Sequence, residues 1–366
     1  MVHPNFVGTK TWYTPTLLET IREKPSISNQ QAYGWRKMPR TRRYVESGAV
    51  YELCFRARRG LPFVSYQCLN FIIQCVLARV QRDDKVILCH DIWNGSHPHL
   101  IVVSKDAKQL VNFYSEIQKK VTDIIKRLLG RDYLEIWEGI PSVIKLGDLD
   151  AAMNRIAYLY ANPAQDDLEE CIERFPGASS WQEYLVCQSS LDDSVSNSYP
   201  WLRLPTVPKL SAACISGKED QKVIDILIKR NEEIYTLTRC PNAWMKCFGV
   251  KDLEVNRVNS QIITLLRQKE TIAREIRNRD KKSVLGAKRL KSQPIMKTHT
   301  PKKKERKIFI ITTLKEIRVE FIEKMRSFQM ICCDCYQRWK NGEFSVKWPP
   351  AAFKPPLPPT ISVFAT

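Results

Sequence analysis

Apolar and polar positions alternate with two different periods in the first half of the chain. From Ala49 to Arg58 they alternate residue by residue, as in a strand with one covered face. From Ser65 to Arg82 apolar residues recur every three or four positions, which indicates a helix. Two β-prone runs follow, 85–93 and 97–103, and the turn dipeptide Asn94-Gly95 joins them. This pattern predicts strand, helix, strand, strand.

A second amphipathic helix and further elements continue the series. Asp106 to Leu129 carries a helical apolar stripe, and strands are predicted around 134–140 and at 143–146. Asp148 is a candidate N-cap for a helix running to about Ala161, where Asn162-Pro163 is expected to stop it. The order predicts an α+β fold, with a ferredoxin-like antiparallel sheet and packed helices.

The chain beyond this region is predicted to be mainly helical. Helical spacing covers 219–237, 253–279 and 314–340, and a strongly basic block lies at 281–307. The predicted organisation is a basic arm (1–46), an α+β domain (47–185), a Ser- and Pro-rich linker (186–217), a helical basic extension (218–348) and a Pro-rich tail (349–366).

The charge balance favours a polyanionic partner. The chain has 58 Lys and Arg against 39 Asp and Glu, a formal net charge of +19. Nucleic acid is the first expectation, and an anionic membrane or ribosomal surface is a weaker one. The basic candidates for phosphate contacts are Arg40, Arg42 and Arg43 in the arm and Lys302, Lys303 and Lys304 in the basic block. A merely solvated arm is an equal alternative.

Composition also indicates the compartment. No apolar run approaches the roughly 18 residues of a membrane span, and the first residues lack the apolar core of a signal peptide. The twelve cysteines are scattered, several within apolar patterns, which suits reduced thiols better than a disulfide framework. We therefore expect a cytoplasmic protein that spans no membrane.

Four side chains are candidates for a catalytic centre. His97 and His99 project to the same side if they lie in one strand, as a pair of nitrogen ligands must. Tyr158 and Asn162 are four residues apart and lie on one helical face. A tyrosine oxygen can be a nucleophile, and an amide oxygen can bind a hard cation. On spacing alone, two surface histidines, a packed tyrosine and a helix-ending asparagine remain open alternatives.

The segment from about Gly48 to Tyr184 resembles the REP-associated tyrosine transposases, single-tyrosine members of the HUH (His-hydrophobe-His) endonucleases. The order and separations of four pieces carry the resemblance, which covers somewhat over a third of the chain. These pieces are Gly48-Ala49-Val50-Tyr51, Asn94 to Val103, Tyr158 to Pro163, and Pro176 to Trp181. The run from Tyr336 to Pro350 is also similar to the tail of longer members.

The resemblance implies a function for each candidate. His97 and His99 are expected to bind a divalent cation, Mg²⁺ or Mn²⁺, with Asn162 as the third protein ligand. Tyr158 is expected to attack a scissile phosphate in single-stranded or hairpin DNA, leaving a 5′-phosphotyrosine link and a free 3′-hydroxyl. Reversal onto another strand transfers DNA. Residues 47–185 are then an HUH transposase-like catalytic domain, a DNA-nicking and strand-transferring enzyme acting on palindromic repeats.

Pro98 departs from the family pattern, which has an aliphatic or aromatic residue between the histidines. Proline donates no ladder hydrogen bond and is confined to edges, strand starts and bulges. In the middle of a central strand it would remove one backbone bond and tilt His99. A second hypothesis is therefore a catalytically inactive, domesticated binder of structured DNA or RNA. Whether the protein is a monomer or a homodimer stays open.

Other polar residues receive structural interpretations. Tyr160 points about 200° round the helix from Tyr158, so only one of the two can face the metal. His90 is expected to be a packed core histidine. Cys332, Cys333 and Cys335 lack a second pair at zinc spacing, and their apolar helical surroundings favour core packing.

Overall fold

A mixed sheet runs through the protein, whose computed structural model describes residues 44–58, 67–210, 220–293, 308–350, 352 and 354–355. The strands in these ranges are β1 (Ala49–Cys54), β2 (Ile87–Ile92), β3 (His99–Ser104), β4 (Ser142–Leu146), β5 (Val195–Pro200), β6 (Ile234–Arg239) and β7 (Ile310–Ile311). The helices are α1 (Gln67–Asp84), α2 (Ala107–Leu128), α3 (Leu149–Gln165), α4 (Trp181–Val186), α5 (Asp220–Arg230), α6 (Asp252–Arg279), α7 (Ala287–Lys291) and α8 (Lys315–Lys340).

The strand order confirms the predicted α+β fold. The sheet runs β5-β6-β2-β3-β1-β4-β7, and its middle four strands are antiparallel in the ferredoxin-like order β2-β3-β1-β4. Strands from the second half of the chain extend both sides: β6 pairs parallel to β2, and β7 pairs parallel to β4. The described C-terminal part is otherwise mainly helical, as predicted.

The two faces of the sheet bury different helices. Leu53 of β1 belongs to the core formed with α1 and α2, whereas Val50 and, on β3, Ile101 belong to the core formed with α3 and α6. Successive side chains of a strand point to opposite faces. Glu52 and His99, each two residues from one of the latter pair, therefore lie on the α3 side. The layer between the sheet and α3 is where the candidate site forms.

The helix expected to stop before Asn162 continues to Gln165, so that prediction was wrong. Asp148 caps its start as predicted, accepting from the Ala151 N–H at 2.7 Å. Pro163 lacks only its own N–H, and the turn after it closes normally because the Asp166 N–H donates to the Asn162 carbonyl at 2.9 Å. Asn162 is consequently held at a regular helical position.

The predicted strand at 134–140 was also wrong. In this segment, pairing is limited to a bridge between Trp137 and Ala57 with two backbone hydrogen bonds. The Arg58 N–H donates to the Ile136 carbonyl at 2.6 Å, and the Glu138 N–H donates to the Arg56 carbonyl at 2.8 Å. Its partner is the irregular continuation of β1 beyond Cys54, so no longer ladder forms.

The helix predicted over 219–237 ends at Arg230, and β6 begins at Ile234. The sequence of β6, IYTLTR, is rich in β-branched and aromatic residues, and pairing with β5 outweighs the helical spacing. Strand β5 lies inside the segment 186–217 that was interpreted as a linker, so part of that segment belongs to the sheet.

A buried ion pair fastens β6 to β2. The Arg239 guanidinium donates to Asp91 at 2.7 and 3.3 Å, to Glu183 at 2.9 Å and to Gln74 at 2.6 Å. Arg239 and Asp91 are both fully buried. A buried charge without its partner is strongly destabilising, so this pair links the second half of the chain to the central strands.

We expect Arg239→Met to lower the free energy of unfolding by about 3–5 kcal/mol, because it strands the Asp91 carboxylate in the core. Urea denaturation followed by circular dichroism measures the loss. Arg203→Met is the matched control, since Arg203 pairs with Glu233 where the side chains are 55% and 45% exposed. Its expected cost is about 0–1 kcal/mol. Equal losses of unfolding free energy in the two variants would contradict the stabilising role given to the buried pair of Arg239 and Asp91.

Candidate functional site

The two histidines lie side by side at the start of β3. His99 is the first residue of the strand, and His97 lies in the preceding turn, where its N–H donates to the Asn94 carbonyl at 2.8 Å. Their ring centroids are 5.5 Å apart, with ring planes at 82°. The strand predicted from residue 97 therefore begins two residues late, but the two rings are neighbours.

Pro98 stands directly before the first residue of β3. Its carbonyl accepts the Phe55 N–H at 2.8 Å, which extends the pairing with β1 past the strand end. A position just ahead of a strand is one that proline tolerates. Because the strand begins at His99, the loss of a hydrogen bond in mid-strand does not arise.

A buried carboxylate stands behind His99. The Glu52 Oε1 accepts a hydrogen bond from His99 Nδ1 at 2.7 Å, and Arg155 of α3 donates to both carboxylate oxygens at 2.6 and 2.8 Å. Glu52 is fully buried, which by itself would raise its pKa, but Arg155 and His99 hold the pKa at about 2. Burial alone would lower the pKa of His99, whereas Cys54 and Glu52 raise it to about 10.

One face of α3 spans both histidines. At one end Arg155 binds Glu52, the carboxylate bonded to His99. About three turns later Asp166, which follows the last residue of α3, places Oδ2 3.1 Å from His97 Nε2. At about 100° per residue, Arg155, Asn162 and Asp166 fall within about 40° of one another. From these two contacts we infer that the residues between them on the same face are on the side of α3 that meets the histidines.

Asn162 lies on that face with an unsatisfied amide. It is 1% exposed, and neither its Oδ1 nor its Nδ2 has a hydrogen-bond partner. An unpaired buried amide costs free energy, so such a group calls for a functional explanation. An oxygen that awaits a ligand is one such explanation.

Tyr158 lies about 40° round α3 from Asn162. It is half-buried, and the Arg155 guanidinium carbon is 4.2 Å from its ring centroid. Tyr160, by contrast, is fully buried, with its hydroxyl 2.9 Å from His90 Nδ1 and 2.9 Å from Ser180 Oγ. Tyr158 is thus the tyrosine on the face that carries Arg155 and Asn162.

Three residues of the site were missed by sequence reasoning: Glu52, Arg155 and Asp166. Glu52 lies at a polar position of an alternating strand, where a charged residue normally faces solvent. Only its buried partners, His99 and Arg155, show that it belongs to the site. Asp166 follows Asn162 by one helical turn, a signal that was available, but the helix was expected to have ended. Asp166 also accepts a hydrogen bond from Asn94 Nδ2 at 2.8 Å.

The C-terminal part of the chain holds α3 in place. Helix α6 packs along α3, and the buried Arg277 of α6 binds the Ala164 carbonyl and, at 2.7 Å, Glu170. Glu270 accepts the Ile172 N–H at 3.0 Å. These bonds fix the end of α3 that carries Asn162 and Asp166.

The other predicted residues are placed as follows. Arg40, Arg42, Arg43, Lys302, Lys303 and Lys304 lie outside the described residues, as does most of the Pro-rich tail. Cys332 and Cys335 are buried within the C-terminal part, and His90 is fully buried, as expected.

Among the residues that the structure describes, no three His, Cys, Asp or Glu side chains form a group that could hold a metal ion. In the same ranges no helix is long and apolar enough to cross a membrane.

Comparison with known proteins adds one structural similarity. The chain is similar to a REP-associated tyrosine transposase solved bound to a REP hairpin, at 16% sequence identity and a TM-score of 0.35. The similarity covers 41% of this chain and 86% of that one. At this TM-score it does not establish a common fold. No family model and no curated protein matches.

The buried His90 is expected to make the protein sensitive to mild acid. Burial lowers the pKa of His90 to about 3, whereas an unfolded histidine titrates near 6.5. Below about pH 6.5 the unfolded chain binds a proton at His90, whereas His90 in the folded chain stays neutral. The contribution of the neutral His90 to the free energy of unfolding is therefore lost as pH falls. Between pH 6.5 and 5, the free energy of unfolding of the wild type should fall more steeply than that of His90→Gln, by up to about 1.4 kcal/mol per pH unit.

Urea titrations at several pH values measure both slopes. The comparison isolates His90 because other histidines and the carboxylates are shared by the two proteins. Parallel curves over this range would show that His90 does not carry the effect.

Proposed function

We propose that the protein is a metal-dependent tyrosine endonuclease and transposase that acts on single-stranded hairpin DNA, with Tyr158 as nucleophile. The observation that carries the proposal is the bridging of the two histidines by one face of α3. Arg155 reaches the carboxylate that binds His99, Asp166 reaches His97, and Asn162 and Tyr158 lie between them. The family resemblance of the sequence implies chemical roles for His97, His99, Asn162 and Tyr158.

The residues present suit a divalent cation in part. Asn162 offers a buried amide oxygen with no other partner, which is a hard ligand of the kind that Mg²⁺ and Mn²⁺ take. His99 uses Nδ1 for Glu52, so Nε2, which lies 4.0 Å from Cys54 Sγ, is the nitrogen that would bind metal, after loss of a proton. His97 would complete the set with Nε2, which now faces Asp166. A cation held by these residues would neutralise charge developing on a phosphate.

The chain's own residues supply the bond-making chemistry. The Tyr158 oxygen attacks phosphorus, a tyrosine–phosphorus ester bond forms, and the bond from phosphorus to the 3′-oxygen breaks. The phenol gives up its proton and the departing oxygen gains one, so the products are a 5′-phosphotyrosine and a free 3′-hydroxyl. Because the ester conserves the bond, attack by another 3′-hydroxyl can rejoin strands. Arg155, stacked on the Tyr158 ring, orients it.

A second function is favoured by one feature of the site. The Nε2 of His97 contacts Asp166 at 3.1 Å, and the described residues offer no ready group of three acidic, His or Cys ligands. A protein that binds structured DNA or RNA without cutting it fits that observation. The net charge of +19 suits either function.

A covalent adduct distinguishes the two functions. We expect the purified protein with Mn²⁺ to form an SDS-resistant adduct with labelled hairpin oligonucleotides whose single-stranded flanks are randomised. Tyr158→Phe should abolish the adduct, because it removes the attacking oxygen, while hairpin binding stays within about twofold of the wild type. Tyr133→Phe is the matched control, since Tyr133 is 78% exposed on the same domain, and it should react normally.

The enzyme proposal fails if the wild type forms no adduct with any member of the pool while binding hairpins as well as Tyr158→Phe does. That result would leave the non-catalytic binder. An adduct that survives Tyr158→Phe would instead show that another residue is the nucleophile.

A further inference from the structure

We propose that Glu52 is a positioning residue for two catalytic groups at once: it fixes the His99 ring for metal binding and, through Arg155, holds Tyr158. This inference rests on the proposed function, because it links the metal-binding histidine to the tyrosine nucleophile. Neither Glu52 nor Arg155 is a ligand or nucleophile in the proposal, so both act through the side chains they contact.

Three hydrogen bonds hold the Glu52 carboxylate, and both of its oxygens take part. Its Oε1 accepts from His99 Nδ1 at 2.7 Å and from Arg155 at 2.8 Å, and its Oε2 accepts from Arg155 at 2.6 Å. A carboxylate only accepts hydrogen bonds, so Nδ1 of His99 must carry the proton. Nε2, on the opposite side of the ring, is thereby the nitrogen presented to a ligand.

The connection from Glu52 to Tyr158 passes through Arg155 on α3. Arg155 and Tyr158 are three residues apart on the helix, and the guanidinium lies over the tyrosine ring at 4.2 Å. Because both nitrogens that bind Glu52 are on the same rigid guanidinium, the carboxylate also sets the plane on which Tyr158 stacks. The Arg155 side chain is 17% exposed and that of Glu52 is 0% exposed, so water does not replace these bonds.

The alternative is that Glu52 and Arg155 only join the sheet to α3. The buried pair Asp91 and Arg239 does that between β2 and β6, with comparable burial and bond lengths, and it contacts neither histidine of the site nor Tyr158. It therefore provides a control of the same chemistry elsewhere in the same sheet, on β2, which β3 separates from β1. A purely structural ion pair predicts the same behaviour for both.

The test compares Mn²⁺ affinity, measured from the electron paramagnetic resonance signal of free Mn²⁺, in folded full-length proteins. The double variant Glu52→Gln/Arg155→Met removes both charges and leaves no lone buried ion. Loss of the carboxylate behind a ligand histidine should weaken Mn²⁺ binding about 10–100-fold. Asp91→Asn/Arg239→Met should leave the affinity within about threefold of the wild type.

Arg155→Met separates the effect of Glu52 on His99 from its effect on Tyr158. It keeps the bond between Glu52 and His99, so Mn²⁺ affinity should stay within about threefold of the wild type. Formation of the Tyr158–DNA adduct should nevertheless fall at least about tenfold, because the tyrosine loses its stacking partner.

A measurement on the wild type alone guards against variants that do not fold. Long-range proton–nitrogen NMR of histidine side chains should show a proton on Nδ1 of His99, both without and with Mg²⁺. A His99 protonated only on Nε2 would overturn the inference, as would a folded double variant with unchanged Mn²⁺ affinity. If the wild type binds no Mn²⁺ at all, the proposed metal site fails and this inference falls with it. If His99→Ala weakens Mn²⁺ binding and the double variant does not, only this inference fails.

Discussion

One carboxylate with no contact to solvent, Glu52, determines how α3 lies against the sheet. Burying a charge is costly, and the cost is offset only when the geometry is good and hydrogen bonds reach its polar atoms. Both oxygens of Glu52 are bonded, one by His99 of β3 and both by the Nε and Nη2 edge of the Arg155 guanidinium of α3. A small rotation of the helix would break at least one bond, so the ion pair specifies the helical face that meets the histidines. Apolar packing alone would allow α3 to rotate more freely against the sheet.

The second buried ion pair constrains the sheet in the same way. Asp91 and Arg239 hold β6 in register with β2, and further hydrogen bonds of that guanidinium, to Glu183 and Gln74, connect it to α4 and α1. Both pairs join residues more than 100 positions apart in the chain. The arrangement of α3, α6 and the sheet therefore depends on charges whose partners come from distant segments.

Local patterns were sufficient for the central elements and insufficient for the site. Period-two alternation and helical spacing placed β1, α1, β2 and α2, because the local order of apolar and polar residues in each segment matches the period of the element that it forms. The end of α3 was misplaced because Pro163 was treated as a stop, whereas the turn beyond it closes through Asp166. Glu52 could not be recognised from its neighbours, since what makes it unusual is a partner on another element. The roles of His97, His99, Tyr158 and Asn162 remain predictions.

The parallel pairing of β6 with β2 has a consequence for how the chain can be divided. A polypeptide ending at residue 185 would keep the four ferredoxin-like strands but leave β2 as an open edge, with unpaired N–H and C=O groups able to recruit another chain. It would also leave Asp91 without its counter-charge and α3 without α6. Residues 47–185 are thus not a portable module, because the part of the chain that follows completes the same sheet and the same core.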